Sequence, residues 1–109
     1  MRNAIDLAFQ KSKVKRRPLL ISYTVCGDPN KKKSLEILKS ISEHVNLVEW
    51  GFAHNCPTAD GPDIQNSSYR AIKNGVNLND TFKLVKDYKR YKNSKPLILM
   101  GYYQMIFHY

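Results

Sequence analysis

Cysteine, acidic side chains and long apolar runs are all scarce in this chain, and each shortage excludes a class of protein. Among 109 residues there are two cysteines, Cys26 and Cys56. They form no CxxC pair and have no set of histidines at ligand spacing, so neither a zinc ribbon nor a disulfide framework is indicated and reduced thiols are expected. No apolar run approaches the roughly 18 residues that a membrane helix needs. The opening segment, MRNAIDLAFQKSK, lacks the apolar core of a secretory signal, and a cytoplasmic location is expected. Acids number nine against eighteen Lys and Arg, a formal net charge of +9.

What is present is an apolar fraction of 42%, enough for one small domain with a single core. The basic residues gather in KSKVKRR, KKK and KDYKRYK, so nucleic acid has to be considered as a partner. The second and third clusters fall on the polar faces of amphipathic helices, where solvated lysines are the commoner explanation. No RRM, KH, helix-turn-helix or zinc-finger pattern accompanies the charge.

Apolar spacing predicts a short helix over 3–12, and Pro18 then opens PLLISYTV, a strand-length run ended by the turn residues GDPN. Leu35, Ile37, Leu38 and Ile41 give one face of a helix over 31–44. NLVEWGF reads as a second strand, and IQNSSYRAIKNG as a helix stopped by Gly75. Asn77, with Asp80 three residues on, caps a further helix running to about Lys92, whose stripe is Phe82, Leu84, Val85 and Tyr88. KPLILMGYY is a third strand. The strands are continuously apolar rather than alternating, as parallel strands covered on both faces are, and the class is α/β.

In α/β folds chemistry gathers at the carboxyl ends of strands. Asp28 follows the first strand, Glu49 and Asp60 belong to the second and its loop, and Tyr102 and Gln104 follow the third. Glu49 in LVEWG either faces solvent on an edge strand or is buried, where its proton affinity would rise. Asp60 sits in CPTADGPDIQ, a loop shaped by Pro57, Gly61 and Pro62; its plain reading is a turn former bonded to its own backbone. Two acids flanking one strand-to-helix loop can also face a single pocket and divide acid and base roles. His54 and Cys56 beside Asp60 do not make a metal site, since too few ligands stand near them. Cys26 reads as a small buried apolar residue.

At these residues the sequence resembles the amino-terminal part of the tryptophan synthase alpha subunit family. YTVCGDP is similar to that family's first strand and TAGDP turn, VEWGF to its ELG strand, PTADGPDIQNSSYRAIKNG to its PLADGPTIQ block, and LILMGYYQMIF to its third strand, LMxYYNPIF. The resemblance implies a TIM (β/α)8 barrel. It implies cleavage of indole-3-glycerol phosphate to indole and glyceraldehyde 3-phosphate, a retro-aldol lyase step of tryptophan biosynthesis. Glu49 matches the glutamate that acts as acid and base at indole C3 and the glycerol hydroxyl. Asp60 matches the aspartate that bonds the indole N–H, while Tyr23, Ile64 and Tyr102 match positions lining the indole pocket. No metal or cofactor is implied in this subunit. A beta subunit carrying pyridoxal phosphate is implied as partner, in an alpha2-beta2 heterotetramer.

The match departs at AHNCP, where Ala53, His54, Asn55 and Cys56 replace the family's Pro, Phe, Ser and Asp. The replaced acid contacts the beta subunit in the family, and Gln104 stands where Asn is common, so coupling to the partner is expected to differ. A TIM barrel needs about 250 residues and eight strands, and three strands are legible here. Residues 1–109 are therefore expected to form an amino-terminal, truncated part of one barrel domain. The apolar ending QMIFHY has no closing cap. The glycine-rich phosphate loops of strands seven and eight fall outside it, and the isolated chain is expected to be poorly folded and inactive. Two alternatives stand beside this reading: another phosphate-sugar TIM barrel of related ancestry, and a basic α/β nucleic-acid-binding module.

Overall fold

A computed structural model describes residues 3–55 and 58–107, the side chain of Ile106 excepted. Three parallel strands, β1 (Ile21–Val25), β2 (Leu47–Gly51) and β3 (Leu97–Met100), form one sheet in the order β1-β2-β3. Around them run α1 (Ala4–Lys15), α2 (Lys31–Ser42), α3 (Pro62–Lys73), α4 (Leu78–Lys89) and the short α5 (Tyr103–Phe107). The α/β reading and the parallel pairing both hold. Helix starts follow from side chains that satisfy otherwise orphaned backbone donors. The Asn30 side chain accepts from Lys33 N at 2.8 Å. At α4 Asn77 and Asp80 form the reciprocal capping box expected from their spacing. Pro62 begins α3, where its missing N–H costs nothing, and Gly75 follows the helix at φ +91.

Strand pleating sends alternate residues to opposite faces. On one face Cys26, Val48 and Trp50 pack with Leu38, Leu84 and Tyr88 from α2 and α4, and Trp50, Leu38 and Tyr88 are fully buried. Tyr88 also closes a polar link inside this core, its hydroxyl 2.6 Å from Ser42 Oγ and accepting from Lys95 N at 2.7 Å. Truncating a buried ring such as Trp50 costs about 3–5 kcal/mol, so this face carries most of the packing. The opposite face bears the register row Tyr23, Glu49 and Ile98. It is less covered than continuously apolar strands imply, for Ile21 and Met100 on its two edges are 40% and 51% exposed.

Two expectations are corrected. The third strand stops at Met100, because Gly101 lies against the Phe52 ring, where a Cβ would come within 3.2 Å of Phe52 Cγ, and the chain then turns into α5. Glu49 is not on an edge strand, since β2 is hydrogen-bonded on both sides.

Candidate functional site at the carboxyl ends of the strands

Past the carboxyl ends of β2 and β3 lies a cavity of about 350 Å³, bounded by Tyr23, Phe52, Asp60, Met100, Gly101 and Tyr102. Tyr102 organises its rim. The hydroxyl accepts from the backbone N–H of Ala59 at 2.8 Å and donates to Asp60 Oδ2 over a longer 3.3 Å. His54 stacks on the same ring, centroids 4.7 Å apart and planes 13° apart. Gln65 Nε2 donates to the Asp60 carbonyl at 2.7 Å, tying the loop to the first turn of α3. Asp60 is thus held by groups distant in sequence and not only by its own turn. Its carboxylate faces an aromatic wall, an arrangement suited to accepting one hydrogen bond from a flat apolar ligand.

Tyr23 joins this cavity to the acid beneath it. The residue pairs with Glu49 across β1 and β2, so both side chains leave the same face of the sheet. Its ring ends over Gly51, where a Cβ would sit 2.7 Å from Tyr23 Cζ. Burial, then the charges of Asp60 and Glu49, then Tyr102, hold the phenol proton above its usual value of 10.0. Glu49 is half-buried and one step below Gly51, and it does not itself border the cavity. The structure therefore brings Tyr23, Asp60 and Tyr102 together around the cavity, with Glu49 on the floor behind Tyr23.

Ile64 is placed differently. It packs against the cluster of Val25, Ala71 and Val76 and borders a separate space of about 200 Å³ shared with Tyr23, Asp28 and Ser67. In that space Asp28 accepts two bonds from Arg70, Nε and Nη2 each at 2.9 Å, and one from the Ser67 hydroxyl. Arg70 bonding holds the Asp28 carboxyl below the usual carboxylate range, although burial opposes it. Asp28 is therefore a clamp between the β1 end and α3. Gly27, at φ +96, lets the turn pass Val76, whose Cβ would lie 2.7 Å from an added Cβ.

The thiol of Cys26 is buried and pushed up to about 12, chiefly by that burial, which makes it an apolar filler and not a nucleophile. Cys56 lies outside the described residues. Among the described residues no three His, Cys, Asp or Glu side chains are placed to hold a metal ion. Gln104 is exposed on α5. Sequence reasoning missed Phe52 and Gly101 as cavity walls and missed the Asp28, Ser67 and Arg70 cluster. A polar helix face carries no mark of which loop it will meet.

Known proteins resemble the chain along nearly its whole length. The family model described as tryptophan synthase alpha chain matches residues 9–109. A tryptophan synthase alpha chain of Pelagibacter ubique is 58% identical over 105 residues, which is 96% of this chain and 40% of that one. Among solved structures, tryptophan synthase subunit alpha of Legionella pneumophila superposes with a TM-score of 0.94 at 28% identity, covering 100% of this chain and 42% of that one. A tryptophan synthase complex of Pyrococcus furiosus gives a TM-score of 0.77 at 41% identity over 83% of this chain and 37% of that one. The chain thus spans about 40% of the length of such relatives. Its three strands and their helices have the architecture of the first units of their TIM barrel. The nucleic-acid-binding reading finds no support in these comparisons.

Proposed function

The chain belongs to the tryptophan synthase alpha chain family, and on that footing we propose that it serves the cleavage of indole-3-glycerol phosphate to indole and glyceraldehyde 3-phosphate. This is a lyase step of tryptophan biosynthesis. Residues 1–109 would form the amino-terminal β/α units of one barrel domain. The observation that carries the reading is an aromatic cavity with one acid, Asp60, at its rim and a second, Glu49, beside the Tyr23 that lines it. Asp60 is hydrogen-bonded by Tyr102 at its rim, and Glu49 is paired with Tyr23 at its floor.

The chemistry asks for two kinds of group. Breaking the bond between the indole ring and the glycerol chain needs a proton delivered to C3 and a proton taken from the adjacent hydroxyl. Glu49 fits that role, because one carboxyl can give a proton and later take one. Asp60 would accept the indole N–H and stabilise the tautomer from which the bond breaks. Tyr23 and Tyr102 would hold the ring between flat walls, and Ile64 would support Tyr23 from behind. The step needs no resident cofactor in this chain. The expected partner is a beta subunit that carries pyridoxal phosphate, and the expected setting is the cytoplasm, as among the described residues no helix is long and apolar enough to cross a membrane.

The test uses a chain of full family length, with residues 1–109 fused to the remaining part of the Pelagibacter ubique alpha chain. Glu49→Gln should lower indole release by about 10²–10⁴-fold, the usual weight of a general acid and base, and Asp60→Asn should lower it too. Wild-type rates in Glu49→Gln would remove the assigned chemistry.

A further inference from the structure

The Tyr23 hydroxyl is a polar tip on a largely apolar wall, and its place is specific. Register puts Tyr23 beside Glu49 on the same sheet face, and the absent side chain of Gly51, two residues further along β2, makes room for the ring tip there. Asp60 already has a phenolic donor, for Tyr102 donates to its Oδ2. Among the described residues the Glu49 carboxylate receives no hydrogen bond. Across the sheet Glu49 pairs with Tyr23 of β1 and with Ile98 of β3, which is apolar, and Glu49, Asp60 and Tyr102 all act on the Tyr23 phenol. Arg70 of α3 is taken up by Asp28.

We infer that the Tyr23 hydroxyl is a positioning group for the reaction: a neutral donor, held between Glu49 and Asp60, that orients the Glu49 carboxylate toward the substrate and separates the two acids. A phenol suits this place because it stays neutral beside two carboxylates while still offering a proton to either. The burial and the two acids that hold its proton on work in the same direction. Rotation about Cζ–Oη needs no movement of the ring, so the donor follows the carboxylate as its charge changes. Tyr102 serves Asp60 and Tyr23 serves Glu49, one phenol for each acid.

This inference rests on the proposed function, and its test separates the two. In the full-length fusion, Tyr23→Phe removes only the oxygen and keeps the ring. Indole release should show kcat lower by about tenfold, the weight of one hydrogen bond to a charged group, with KM changed less than about twofold. Tyr23→Leu, which removes the wall as well, should raise KM. An unchanged kcat in Tyr23→Phe, or a loss confined to KM, would overturn the positioning role while leaving the proposed function standing. A parent fusion that folds and binds indole-3-glycerol phosphate yet releases no indole would overturn the proposed function, and the inference with it.

Discussion

Gly51 is a glycine because Tyr23 occupies the space of its missing side chain. A methyl group there would stand 2.7 Å from Tyr23 Cζ, well inside contact distance, and the ring is the part that must move. Gly51→Ala in the full-length fusion should cost about 1–3 kcal/mol, read as a lower urea midpoint, and should also depress indole release because the Tyr23 ring is pushed from its place over Gly51 at the cavity wall. An active, equally stable Gly51→Ala would show that the ring does not depend on the gap. Tyr23 carries its own pH prediction. Burial and then Asp60 hold its proton above the usual value, so Asp60→Asn should bring its titration down toward 10, as followed by NMR of ring-labelled tyrosine. Glu49 and Asp60 were legible as residues from the strand and the ADGP block. The dependence of Gly51 on Tyr23 was not, because it arises only when two strands set their register.

At the scale of elements, the end of β1 is fastened to α3 by Asp28 and Arg70, whose side chains meet across 42 residues of sequence. Asn74 adds a bond from Nδ2 to the Pro29 carbonyl at 2.7 Å. Since α3 also anchors the Asp60 loop through Gln65, this clamp sets where that acid stands relative to β1. Arg70 is half exposed, so solvent screening keeps the loss in Arg70→Ala small. The sign with pH follows from the direction of the Asp28 shift. Its folded value is depressed, so the stabilisation is full above the unfolded carboxylate value near about 3.9 and is lost as pH falls through the lower folded value. Urea midpoints of wild type and Arg70→Ala in the fusion should therefore differ at pH 7 and converge in strong acid. Equal midpoints at pH 7 would deny the clamp any stabilising role. The capping box of Asn77 and Asp80 was legible because its partners are three residues apart; the clamp was not, because nothing local identifies its second half. The turn into α5 was hidden for the same reason, since Gly101 ends β3 against Phe52 from the loop after β2.

At the scale of the whole molecule, one sheet face is closed and the other is open. Parallel pairing could be read in advance from continuous apolar strands alternating with amphipathic helices, whereas the order β1-β2-β3 follows only from the resemblance to a TIM barrel. Packing of α2 and α4 over Trp50, Val48 and Leu38 completes one layer. The face with Tyr23, Glu49 and Ile98 is covered only in part, Tyr23 and Val25 packing with Ala71 of α3 while Ile21 and Met100 stay exposed, and among the described residues β1 and β3 each present one unpaired edge. Apolar side chains stand at those edges, Leu20 and Ile21 by β1 and Met100 by β3. Unpaired, apolar strand edges template association between chains, and a net charge of +9 opposes it only at low salt. The 109-residue chain expressed alone should bind a hydrophobic dye, melt without a cooperative transition, self-associate more as salt is raised, and release no indole. Joined to the remainder of a family-length barrel, the same residues should melt as one unit, because the missing strands pair both edges and cover the open face. A cooperative melt together with indole release from the isolated chain would mean that three strands build the whole site, and the need for the rest of the barrel would fall.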